Sequence, residues 1–213
     1  MKLQELETAE VRRDPRAALQ RAIDDVPAAE AAHKRAEDRV AKAEEERLRL
    51  LKIWRSINDE LRATSETLAA TKRRWLESSM ADSADAKALK EYRELRERKE
   101  GLIDRLTFLA NYAQEDNERE SLFARIAERG AYADLRESEA CRQRLGVIAN
   151  AASSFEFDPG AAISFPEDSW SARAAKEAAD IRSSAVKGLE EELARHDAGV
   201  AARRDLIAGR LFS

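Results

Sequence analysis

Two histidines and a single cysteine are the residues of this chain with the widest chemistry, and their spacing gives catalysis little support. Glu30-Ala31-Ala32-His33 has the helical Glu-x-x-His spacing that places a carboxylate and an imidazole on one face, as di-iron centres in helical bundles require. That chemistry also needs a second copy of the element and two further inward carboxylates. The other histidine sits in Glu192-x-x-x-His196, the wrong spacing for that element. In a chain so rich in glutamate one such match carries no weight, and no metal site is expected. Cys141 would be a nucleophile only beside a base that lowers its pKa. It falls on the apolar stripe of its helix and reads as a buried structural thiol. A Gly-rich phosphate loop, a paired-cysteine motif and a His-Glu-x-x-His element are all missing from the sequence. The expectation is a non-enzymatic protein without a cofactor.

Two segments could instead meet a partner. Lys72-Arg73-Arg74-Trp75 is the densest basic cluster, and Arg73 and Arg74 could contact phosphate or an acidic protein. The plainer reading, a solvated face beside a buried Trp75, is favoured because Trp75 lies in register with the apolar stripe around it. Phe155, Phe157, Ile163 and Phe165 crowd four large apolar side chains into a short segment. Such residues are costly to expose, so they either cap a bundle end or meet another protein.

The elements that must carry these residues are helices. Of 213 residues, 38% are charged, 43% hydrophobic and 6% aromatic, a balance typical of long helices and coiled coils. Net charge is -4, with basic and acidic residues interspersed throughout, which disfavours general nucleic-acid binding and a basic membrane-facing surface. The lone cysteine, an N-terminus without an apolar core and uncharged stretches too short for a bilayer point to a cytoplasmic protein.

Asp14-Pro15 reads as an N-cap with proline at the first helical position. A short helix to about Asp25 should follow, with Pro27 kinking it or opening the next. No glycine or proline occurs from residue 28 to residue 100. Positions 40, 43, 47, 50, 54, 57, 61, 64, 68, 71 and 75 form a heptad seam broken only by Arg47, Thr64 and Thr71. Leu48, Leu51 and Ile53 lie off that seam, so the stripe widens there and should meet more than one neighbour. After a polar turn, with Asp82 or Ser83 as cap, a second seam runs through Tyr92, Leu95, Lys99, Leu102, Leu106, Leu109 and Ala113. Folding back about residue 82 would set Arg47 opposite Asn117, near Asp116 and Glu120, and Lys99 within reach of Glu66. Gly130 reads as a C-cap, with a helix restarting near Asp134. Alternation in Phe155–Phe157 and Ile163–Phe165 around Asp158-Pro159-Gly160 suggests a hairpin-like loop, and Ser164-x-x-Glu167 the cap of a last helix. That helix should bury Trp170, Ala174, Ala178, Ile181, Ala185, Leu189, Leu193, Val200 and Ile207.

The expected fold is therefore all-α: an elongated antiparallel coiled-coil hairpin with additional packed helices and one short hairpin-like loop. Residues 1–26 would form an N-terminal segment, 27–150 the hairpin with a packed-back helix, 151–166 the aromatic loop and 167–213 the C-terminal helix. The function expected is non-catalytic protein binding, as an assembly component, adaptor or inhibitor. Self-association is expected too, because such helices seldom bury their whole stripe within one chain. A membrane-surface bundle and an acidic helical block of a nucleic-acid-binding partner are the alternative classes.

Overall fold

The fold is all-α. The computed structural model describes residues 14–80, 86–153 and 165–211. Helix α1 spans Pro15–Met80, α2 Ala86–Phe108, α3 Gln114–Ala151, α4 Trp170–Asp180 and α5 Lys187–Leu211. π-helical turns at Leu109–Ala113 and Ile181–Val186 join α2 to α3 and α4 to α5. No strand occurs among the described residues. Asp14 caps α1 as its sequence predicts, its Oδ1 accepting from the Ala17 amide at 3.0 Å.

The chain divides into two compact units, one holding residues 1–42 and 119–213, the other residues 43–118. In the first, the core is built from small side chains. Ala18, Ala22, Cys141 and Leu145 form a fully buried cluster flanked by Leu19 and Ile148. Ala124, Ala133, Ala140, Ala174 and Ala178 continue the same close packing. Alanine interfaces let helix backbones approach, and polar pairs stitch the edges. Arg16 reaches Ser153, His33 faces Glu128 and Arg39 pairs with Glu120, so α1 and α3 run antiparallel here. Arg136–Glu177, Arg182–Asp134 and Arg119–Asp197 tie α3 to α4 and its continuation.

In the second unit the latter part of α1 packs against α2 and the first residues of α3. Asn117 Nδ2 donates to the Ala43 carbonyl at 3.0 Å, Arg98 pairs with Glu60 and Arg74 with Glu91. As the residue number rises along α1 the partner's falls, so these helices are antiparallel too. Trp75 stacks on Tyr92 with ring centroids 6.0 Å apart.

Several local expectations are corrected. Pro27 neither ends α1 nor opens a new helix but lies inside it. Pro27 is exposed, while Ala22 and Val26 before it and Ala36 after it are buried, so packing carries the helix past the missing amide. Gly130 and Asp134 lie inside α3 rather than at a break. The last helix starts after Ser169, whose Oγ accepts from the Ala172 amide at 3.2 Å. Trp170 lies more exposed than its stripe predicts, under the Arg136 guanidinium.

The two charged seam residues do not find the partners expected. Arg47 pairs with Glu44 on its own helix at 2.6 Å, Glu120 is held by Arg39, and Glu66 pairs with Arg62. A side chain three or four residues away competes well because helix geometry already holds it near. The caps proposed at Asp82, Ser83 and Ser164, and residue 207, lie outside the residues or side chains described.

Because Gly130 is mid-helix with open space around an added Cβ, Gly130→Ala should stabilise the protein by about 0.5–1 kcal/mol. Chemical denaturation checks the sign. A left-handed capping glycine would give destabilisation instead.

Candidate interaction site

The second unit contains a partly open cavity of about 350 Å³ lined by Arg47, Leu50, Leu51, Trp54, Leu109, Gln114, Asn117 and Glu118. It lies where Leu48, Leu51 and Ile53 widen the apolar stripe. Its other wall is made by the π-helical turn. There the Gln114 amide donates to the Leu109 carbonyl, five residues back, so one extra residue is inserted into the helix. A seven-residue repeat through Leu102 and Leu109 would next point Asp116 inward. The extra residue puts Asn117 there instead, 8% exposed, and leaves Asp116 in solvent.

An empty closed cavity of this size would cost about 8 kcal/mol at roughly 24 cal/mol per Å³. That rivals the whole stability of a typical domain, about 5–15 kcal/mol. The space is therefore tolerable only because it is open, holding solvent or whatever binds there.

The burial pattern of α1 around the cavity is lopsided. Ile57, Thr64 and Thr71, seven residues apart, form a buried row against α2. Trp54, Leu61, Leu68 and Trp75 form the adjacent row; Trp54 is 44% exposed and the other three are half-buried, Trp75 against Tyr92 of α2. The row with two threonines is inside, and the wholly apolar row is only partly covered. Glu60 and Arg74, two heptads apart and so on one face, carry ion pairs to α2 along the edge beyond the buried row. The pair of helices is thus stitched along one edge and apolar along the other. The turn adds a stacked pair of exposed rings, Phe108 and Tyr112, with centroids 5.4 Å apart.

No protein-family model, curated protein or solved structure matches this chain. Its geometry has to speak alone.

Charge at the cavity is internally balanced. Arg47 donates through Nε and Nη2 to both oxygens of Glu44, which holds its guanidinium above the usual arginine pKa. Arg49 pairs with Glu46, and Gln114 donates to Glu118. Polar side chains engaged by neighbours on their own helices rim an apolar floor, the layout of an interface core with its rim.

Phe155, Phe157 and Ile163 lie outside the described residues. Phe165 is half-buried, with the Arg144 guanidinium 5.1 Å above its ring. Arg73 is exposed, and the charge of Arg74 is taken by Glu91 at 2.7 Å. The cavity residues were missed as a site, although the off-seam Leu48, Leu51 and Ile53 were the available signal. Cys141 is buried in the small-residue core.

A polar cluster in the first unit has structural rather than binding character. His33 Nε2 lies 3.4 Å from Glu128 and 3.9 Å from Glu37, and its ring packs against Tyr132. Tyr132 donates to Glu177, which also accepts from Arg136, and Arg136 bridges on to Glu139. Among the described residues no three His, Cys, Asp or Glu side chains are gathered for a metal ion. Burial, then the Glu177 carboxylate, raises the Tyr132 phenol above its ordinary pKa of 10. Its contribution to stability is accordingly complete below the unfolded-state pKa and lost as pH rises through the folded one. Tyrosinate absorbance should show one of the three tyrosines ionising late, and Tyr132→Phe should remove that late phase. A late phase that survives the substitution contradicts this arrangement.

Proposed function

We propose that this protein is a non-catalytic binding protein, an assembly component, adaptor or inhibitor, and that it engages another protein along the apolar edge of the 43–118 unit. One observation carries the reading. The chain buries its Ile57-Thr64-Thr71 row and leaves the more apolar Trp54-Leu61-Leu68-Trp75 row only partly covered, with Trp54 most open at 44%. Burying apolar area is worth about 25 cal/mol per Å², so a helix pair free to choose would turn the more apolar row inward. The observed choice makes sense when another protein covers the exposed row.

Several features support that reading. Aromatic residues anchor interfaces out of proportion to their number. Trp54, Phe108 and Tyr112 are available here. No described helix is long and apolar enough to cross a membrane. The half-exposed row runs along the helix pair, as helix-in-groove recognition requires. Whether the covering protein is foreign or a second copy is settled by light scattering on the captured complex.

Trp54→Ser should weaken partner capture by at least tenfold, the effect of losing one interface anchor worth about 2 kcal/mol, with helicity retained. Thr67→Arg, on the ion-paired face with Glu60 and Arg74, should leave capture unchanged. Quantitative pull-down of the two variants beside the parent, with circular dichroism as the folding control, checks both. Equal capture by Trp54→Ser and the parent contradicts the reading.

A further inference from the structure

The half-exposed row says where a partner lies, and the cavity beside it says what that partner must present. Resting on the binding function above, we propose that the cavity at the 109–113 turn is the seat for a tryptophan side chain of the partner protein.

Size excludes the smaller anchors. A cavity of about 150 Å³ lined by Leu, Ile and Phe holds one benzene ring. The 350 Å³ here is more than twice that, space for a fused two-ring system rather than a phenyl or an aliphatic tip. The floor suits a flat apolar body: Leu50, Leu51 and Leu109 line it, and Trp54 offers a ring face or edge for aromatic contact.

Charge disfavours an ionic anchor. Arg47, the basic residue among the lining side chains, is held bidentate by Glu44, so a carboxylate or phosphate arriving there would have to displace a formed ion pair. Glu118, the acidic lining residue, accepts from the Gln114 amide, so a neutral occupant displaces neither contact.

Asn117 supplies direction. It is 8% exposed, lines the cavity and has its amide orientation fixed, because Nδ2 must face the Ala43 carbonyl that accepts from it. The acceptor that Asn117 offers is then Oδ1, the complement of a donor. Among neutral two-ring side chains, the tryptophan indole has the apolar body and a single N–H donor. The π-helical turn is what creates this arrangement, since without its extra residue Asp116 would occupy the inward position.

Free indole is the probe, added to the full 213-residue chain with isotope-edited NMR as the readout. Expected is saturable binding at millimolar concentration, with shifts at Leu50, Leu51, Trp54, Leu109 and the Asn117 side-chain amide. N-methylindole, which keeps the ring and lacks the donor, should bind about fivefold more weakly, the value of one ordinary hydrogen bond. Saturating indole should also release the captured partner. Absence of saturable shifts, shifts centred elsewhere, or equal binding of N-methylindole each overturns the tryptophan seat. So does saturable indole that leaves the partner in place, an outcome that would make this a small-molecule site. The pull-down with Trp54→Ser stands apart from these results. Lost capture there with indole silent keeps the binding surface and removes only the seat.

Discussion

The constraint on which the 43–118 unit depends is that one helix neighbour does not cover two adjacent heptad rows equally. On α1 the Ile57-Thr64-Thr71 row is buried, while the Trp54-Leu61-Leu68-Trp75 row is only partly covered, from Trp75 against Tyr92 of α2 to Trp54 at 44% exposed. Ion pairs from Glu60 and Arg74 hold α2 toward the buried row. Exposed pairs of this kind add only about 0–1 kcal/mol each, too little to explain burying threonine in preference to tryptophan and leucine. Their use is directional: a slipped or rotated α2 would separate the paired charges and close the apolar edge. That edge stays partly open at some loss of stability.

The π-helical turn at Leu109–Ala113 works on the same edge from the opposite wall. It puts an amide rather than Asp116 at the inward position that follows Leu109, beside a cavity where close packing would otherwise be expected. Inserted residues of this kind recur at functional sites because they add a local feature without changing the helix on either side. The first unit contrasts with this. Its helices meet through alanines and Cys141, with Arg136, Arg182 and Arg119 fixing α3 against the C-terminal helices. It is closely packed where the second unit holds a partly open cavity.

What the sequence reveals follows from which forces are local. The helical periodicity, the Asp14 cap and the burial of Cys141 are all readable, because periodicity and capping act within a few residues. The all-α class follows from the same signals. Pro27 and Gly130 misled because their local penalties, about 3 and 1 kcal/mol, are overridden by packing of the alanine faces on either side. Arg47 misled because a heptad count says which residues face a neighbour and not which of several carboxylates a long flexible side chain will choose. The cavity was only half readable. The widening at Leu48, Leu51 and Ile53 marks a stretch needing more neighbours than one, but the extra residue in the turn leaves no mark in composition or period, so Asn117's place could not be seen.

The central claim is that the two edges of this helix pair differ in what touches them in the cell. Residues 67 and 68 are adjacent in sequence and lie on different faces, Thr67 with the ion-paired positions and Leu68 in the half-exposed apolar row. A photoreactive phenylalanine analogue placed at each in turn, irradiated in the source cell, reports contact directly. The account predicts a discrete crosslinked protein from position 68 and none from position 67. Crosslinking from 67 alone, or equally from both, would contradict it.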